Sequence, residues 1–221
     1  MLVVAHEMRN LLAPLAYAVE VIARGDVAAT IRVQTVIARQ VAQLRRLIDD
    51  LLDVASSSRG RLSLCIASVD LREVIAEAID IAQPAIAARQ QHLTLWSQST
   101  VPTVVDGDQC RLIQVLSNLL LNAAKFTPQG GDIFVGHEHE PPCEKVWVRD
   151  TGVGIAAEML PKIFDAYFRA LAVPEGGGLG LGLAVARNLV EGHGGTLSVH
   201  SEGPGRGSEF VMRLPATETG S

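Results

Sequence analysis

The stretch that most limits what this chain can become is Glu175-Gly176-Gly177-Gly178-Leu179-Gly180-Leu181-Gly182-Leu183, which runs directly into Ala184-Val185-Ala186-Arg187-Asn188-Leu189. Glycines at 176, 177, 178 and 180 let the backbone turn and approach a ligand with no Cβ in the way. The apolar residues behind them recur at helical spacing, so the loop is expected to end on a helix N-terminus. Unpaired N–H groups and the helix dipole favour phosphate there. No Gly-Lys-Ser/Thr follows, as a Walker loop requires, and no β-branched strand leads in, as a dinucleotide fingerprint requires. Read alone, the stretch is equally a flexible connector; the other segments decide.

The 221 residues suffice for two small domains or one large one. Apolar residues make up 48% and aromatics 4%, so the core must come from Leu, Val, Ile and Ala. A net charge of −5 argues against a nucleic-acid surface, which needs clustered Lys and Arg. Cys65, Cys110 and Cys143 are far apart and lack metal-ligand spacing. They are expected to be free thiols, buried or partly buried, in a reducing compartment. No apolar run approaches the ~18 residues that cross a bilayer, and no signal peptide is visible. The segment is expected to be soluble and cytoplasmic, without membrane contact of its own. Leu2-Val3-Val4 lack a capping residue, so the chain is expected to begin inside a helix of a longer protein, either soluble or membrane-tethered.

Val4, Met8, Leu11, Leu15, Val19 and Ile22 alternate steps of four and three. Val33, Ile37, Val41, Leu44, Ile48, Leu51 and Ala55 repeat the pattern over 30–57, a coiled-coil-like seam. Arg24-Gly25-Asp26 breaks the two, which predicts an antiparallel hairpin. Two helices bury too little surface alone, so a homodimer through the hairpin is expected. After Ser56-Ser57-Ser58-Arg59-Gly60 the pattern changes, placing a domain boundary near 57–61 and domains at 1–58 and 61–216. A short strand over 61–66 is expected, then a helix from Leu71 to Ala88 capped by Asp70. Strands follow near 92–96 and 104–105, a helix over 108–126, and a hairpin over 132–139 and 145–150. The glycine loop, its helix to Glu191, and strands near 196–200 and 208–214 complete the pattern. The fold class is therefore an all-α helical hairpin (a four-helix bundle on dimerisation) followed by an α+β sandwich, antiparallel strands with helices on one face.

Asn118, Asn122 and Lys125 fall at i, i+4 and i+7 of the 108–126 helix, one stripe amid core leucines. The stripe is either a solvated face or a carboxamide oxygen for Mg²⁺ with a lysine for phosphate. Asp150-Thr151-Gly152-Val153-Gly154 ends a strand. It is either an ordinary turn or a carboxylate for an exocyclic amine beside backbone that passes close to a flat ring. Phe164-Asp165-Ala166-Tyr167-Phe168-Arg169 is a small satellite core or a lid anchor. His137 and His139 alternate on a strand and could hold a metal, although an exposed hairpin edge fits them better.

In this order the segments around Asn118–Phe126, Asp150–Gly154, Phe164–Arg169 and Gly176–Leu183 resemble the N, G1, F and G2 boxes of sensor histidine kinases, whose ATP-binding domain has the Bergerat fold. The match continues through His193-Gly194-Gly195-Thr196 and Gly203-Pro204-Gly205-Arg206-Gly207-Ser208. The resemblance implies that ATP and Mg²⁺ are bound. It implies that Asn122 holds the metal, Lys125 and Arg169 face phosphates, and Asp150 reads adenine N6. Gly178, Gly180 and Gly182, with Leu179 and Leu181, would form the hinge and phosphate wall of a short lid made mostly of 170–177. Asn118, Phe126, Gly152, Gly154 and Ser208 would complete the pocket.

His6-Glu7-Met8-Arg9-Asn10-Leu11-Leu12-Ala13-Pro14-Leu15 resembles the phosphoacceptor box of the same family, and Leu47–Asp53 the end of its second dimerisation helix. The resemblance implies that His6 is phosphorylated and passes the group to an Asp of a response regulator receiver domain. Glu7 would hold Nδ1–H so that Nε2 can attack. Asn10 would position water in the reverse, phosphatase reaction. Leu11 stands where many members carry proline, which bears on how helix 1 bends during switching. Two rivals stay open. One is an ATPase of the gyrase, MutL or chaperone kind, whose water-activating Glu would stand at position 118. The other is a nucleotide-binding pseudokinase scaffold.

Overall fold

The computed structural model describes residues 2–23, 33–38, 40–42, 44–45, 48, 51–53, 63–97, 103–168 and 179–217. Helix α1 spans Leu2–Ala23 and carries Pro14 internally; its side chains are described at 8, 9 and 12–23. Every described residue between 33 and 53 is helical. Met8, Val19 and Ile22 of the expected seam lie exposed, as do Leu12, Tyr17, Val41, Ile48 and Leu52. The inter-helix break at 24–26 and the boundary at 57–61 lie outside the described residues.

The remaining elements run β1 (Ala67–Asp70), α2 (Leu71–Ala88), β2 (His92–Ser97), β3 (Val104–Gly107), α3 (Gln109–Phe126), β4 (Asp132–Glu140), β5 (Cys143–Asp150), a 3₁₀ turn (Leu160–Lys162), α4 (Gly182–Gly192), β6 (Thr196–His200) and β7 (Ser208–Pro215). Both long central helices start where an aspartate can cap them. Asp70 accepts from the Arg72 amide at 3.0 Å and Asp108 from the Arg111 amide at 3.2 Å. The strand expected over 61–66 lies later. Residues 63–66 have no regular structure, and the strand forms at Ala67–Asp70, where β3 supplies an antiparallel partner and Val69 faces Val105.

The five-stranded sheet has the order β2-β4-β5-β7-β6. It is mixed, not wholly antiparallel as expected, because β2 pairs with β4 in parallel. The chain between them contains β3 and α3, the long crossover that parallel pairing needs. Ile133 and Val135 of β4, Val146 and Val148 of β5, and Phe210, Met212 and Leu214 of β7 alternate inward against Leu112, Leu116, Leu119 and Leu120 of α3 and Leu189 of α4. Trp96 and Trp147 stand on the opposite face with ring centroids 6.1 Å apart. Trp147 lies across Gly136, where a Cβ would collide with the indole.

Two further expectations need correction. β4 is an interior strand, so His137 is not on an exposed edge: it is buried, with Nε2 3.0 Å from Glu144 Oε2, while exposed His139 sits 2.6 Å from Glu144 Oε1. No group of three metal-ligating side chains forms among the described residues. The cysteines are free, but Cys65 and Cys110 are exposed rather than buried; only Cys143 is partly covered.

His193 ties α4 to α3. Leu189 O can only accept, so Nδ1 carries the proton at 2.7 Å, which leaves Nε2 to accept the Asp108 amide at 2.9 Å. The ring is buried. His193→Ala is expected to lower unfolding free energy in urea by about 2–4 kcal/mol, because it opens a cavity and strands the Asp108 amide, while Leu189 O keeps the backbone amide of residue 193.

Candidate functional site

Helix α3 is covered by α2 along one side and α4 along another. Leu112, Leu116, Leu119 and Ala123 are buried there. Asn118, Asn122, Lys125 and Phe126 are half-buried, so the polar stripe is not an ordinary solvated face. Asn118 Nδ2 donates to the Gly182 carbonyl at 3.2 Å and so fastens the stripe to the first residue of α4. Asn122 makes no side-chain hydrogen bond to another described residue. Lys125 Nζ lies 5.0 Å from the Phe126 ring centroid.

Asp150 closes β5 with a buried carboxylate, and the loop after it meets the end of α3, where the Val153 amide donates to Phe126 O at 3.1 Å. Its Oδ1 accepts the Gly152 amide at 2.7 Å and its Oδ2 accepts the Ser208 hydroxyl at 2.5 Å. Each oxygen keeps a lone pair for a further donor. The loop beyond is backbone packed on backbone. Gly205 N donates to Val153 O at 2.7 Å and Gly207 N to Gly152 O at 3.1 Å. Gly207 has φ +68, and a Cβ there would lie 2.0 Å from Asp150 O. Gly154, at the same φ, would meet Gly203 O. The glycines at 152, 154 and 207 are thus required by close approach of one chain segment to another.

The glycine-rich loop is described from Leu179 onward; Arg169, Gly178 and the expected lid at 170–177 lie outside the described residues. Gly180 takes φ +70 against Phe168 O and accepts the Tyr167 amide at 3.1 Å. Phe164 meets Phe210 edge-on at 6.4 Å and Phe168 packs on the main core, so these aromatics form no satellite cluster. Helix α4 then begins at Gly182 without a side-chain cap, so its first amides have no side-chain partner among the described residues.

Leu179 and Leu181 are buried against Leu44 and Leu51 of the second helical stretch. Asp53 nearby accepts from Arg111 Nη1 and Gln114 Nε2, both at 3.0 Å. Neither contact was visible in the spacing, because both join residues far apart in sequence. His6, Glu7 and Asn10 lie on α1, with side chains outside the described set.

No three acidic, His or Cys side chains converge among the described residues. A divalent cation beside Asn122 would therefore take its other oxygens from water and from the ligand's own phosphates, a donor set that suits Mg²⁺.

A polar stripe on a core helix, a buried aspartate at a strand end and an uncapped helix behind a glycine loop define a nucleotide-binding ATPase domain. Residues 107–218 match the family described as histidine kinase-, DNA gyrase B-, and HSP90-like ATPase, and the chain belongs to it. Within that family it is homologous to sensor histidine kinases. ZraS of Escherichia coli (strain K12) is 36% identical over 220 residues, 98% of this chain and 45% of ZraS. The chain thus spans less than half the length of that relative. Two solved structures share the fold. Full-length ShkA in complex with AMPPNP has a TM-score of 0.74 at 25% identity, covering 89% of this chain and 40% of ShkA. ThkA in complex with the response regulator protein TrrA has a TM-score of 0.68 at 25% identity, covering 97% of this chain and 60% of ThkA.

Burial pushes the Asp150 carboxyl above its ordinary 3.8, against the opposing pull of Ser208 and Gly152. The folded state therefore takes up this proton more readily than the unfolded chain. The group's contribution to stability is full below about pH 3.8 and is lost as pH rises through the raised value. At neutral pH the ionised carboxylate opposes folding. Asp150→Asn is expected to leave the ligand-free melting midpoint at pH 7 unchanged or higher, read by calorimetry, with the gain over wild type vanishing in acid.

Proposed function

We propose that this chain is the catalytic core of a sensor histidine kinase, which phosphorylates His6 from Mg·ATP and passes the phosphoryl group to an Asp of a response regulator receiver domain. The observation that carries the reading is the buried Asp150 carboxylate, with acceptor capacity left for an exocyclic amine, beside the Asn118–Lys125 stripe and the uncapped start of α4. Homology to sensor histidine kinases supports it.

In this reading residues 1–58 form the dimerisation and phosphotransfer domain and 61–216 the ATP-binding domain. The exposed Met8, Val19 and Ile22 supply apolar surface for a homodimer through the N-terminal hairpin. Asp150 reads adenine N6, Gly152 and Gly154 let the ring lie against backbone, and Phe126 and Ser208 complete that wall. Lys125 and Arg169 face the phosphates, Asn122 holds Mg²⁺, and Gly178 to Gly182 form the hinge and phosphate wall. Mg²⁺ supplies charge neutralisation on the transferring group. Neutral His6 attacks phosphorus through Nε2 as the bond to the ADP oxygen breaks, and Glu7 stabilises the Nδ1 proton. Asn10, one turn further along α1, positions water for dephosphorylating the regulator.

Simple hydrolysis fits less well. Asn118 stands where the ATPases carry a water-activating Glu, and its amide is engaged with Gly182 O. Among the described residues no helix is long and apolar enough to cross a membrane, which is compatible with a cytoplasmic place for this segment.

Incubation with γ-labelled ATP is expected to give acid-labile, alkali-stable label on wild type and none on His6→Ala. Asn122→Ala is expected to lose labelling while the dimer persists in sedimentation. Asp150→Asn is expected to weaken adenine nucleotide binding by about tenfold or more, the loss of a charged acceptor. Free phosphate without protein label would point to the ATPase instead, and neither product to a scaffold.

A further inference from the structure

The last carbonyls of an α-helix have no partner inside it. At the end of α3 they are taken by groups from elsewhere. Gln91 is buried just beyond α2, and its Nε2 donates to Ala124 O at 3.0 Å, Thr127 O at 2.7 Å and Pro128 O at 3.3 Å. Arg89 Nη1 reaches Lys125 O at 3.0 Å and Thr127 O at 3.4 Å. The carbonyl between them, Phe126 O, accepts the Val153 amide at 3.1 Å. Four consecutive carbonyls, 124 to 127, are thus gripped from outside the helix. Gln91 Oε1 is buried and meets no described partner, so its hold passes wholly through the NH₂ group.

This turn carries Lys125 and abuts Gly152, where a Cβ would lie 2.6 Å from Phe126 O. Its placement therefore sets the separation between the lysine and the Asp150–Gly152 loop. We propose that Gln91, assisted by Arg89, is a positioning residue for nucleotide: it fixes the last turn of α3 so that Lys125 and the Gly152 backbone address one ligand together. The inference rests on the nucleotide-site reading above.

The test uses the whole chain, with Mg·ADP binding followed by calorimetry and His6 labelling followed against Mg·ATP concentration. Gln91→Met removes the donor at similar volume. It is expected to raise KM about fivefold, the size of one lost hydrogen bond, with the saturated rate little changed. Gln91→Glu is expected to match it at high pH and to approach wild type as pH falls, because a neutral carboxyl donates again. Arg89→Met, at an exposed position, guards against misfolding and should raise KM by a smaller factor. Lowered melting midpoints with KM unchanged in all three variants, at every pH, would make the grip purely structural and overturn the inference alone. A folded wild type that binds no Mg·ADP would overturn the nucleotide-site reading and this inference with it.

Discussion

Helix α3 has to satisfy two demands at once, and the architecture follows from how it does so. It must be apolar enough to be clamped between α2, α4 and the sheet, and it must still present Asn118, Asn122 and Lys125 together. The 3.6-residue period reconciles them: Leu112, Leu116, Leu119 and Ala123 sink into the core while the amides and ammonium hold the margin. The same clamp leaves both helix ends accountable. Asp108 and His193 secure the start, and side chains from beyond α2 secure the finish. A helix held at both ends cannot slide, so the stripe keeps its distance from the Asp150–Gly152 loop that abuts its last turn.

That aspartate sits in a wall of glycine backbone. Gly152, Gly154 and Gly207 do not confer looseness here; they let two chain segments lie closer than any Cβ allows. The consequence is electrostatic. With Gly152, Gly207 and Ser208 pressed around it, Asp150 loses water and resists ionising.

Much of this was legible from the chain. The cap at Asp70 stands directly before a periodic apolar run and its helix begins there, while the helix expected over 108–126 begins one residue later with Asp108 as its cap. The N, G1, F and G2 segments come in their family order, and the described parts of them touch: Val153 N meets Phe126 O, Asn118 meets Gly182 O and Tyr167 N meets Gly180 O. What escaped was long-range. Strand direction leaves no local mark, so the parallel β2–β4 pair could not be foreseen. Alternation places His137 and His139 on one face but is silent on whether β4 lies inside the sheet. Asp108 with His193, and Asp53 with Arg111, join residues 85 and 58 apart, beyond the reach of any spacing rule.

The two tryptophans occupy the face of the sheet turned away from the helices, one ring leaning over Gly136 toward the other. Indoles dominate the ultraviolet emission of a protein so poor in other aromatics. The chain's native fluorescence is thus a reporter on the back of the sheet, and a change on the helix side can alter its colour or brightness only by way of the strands between.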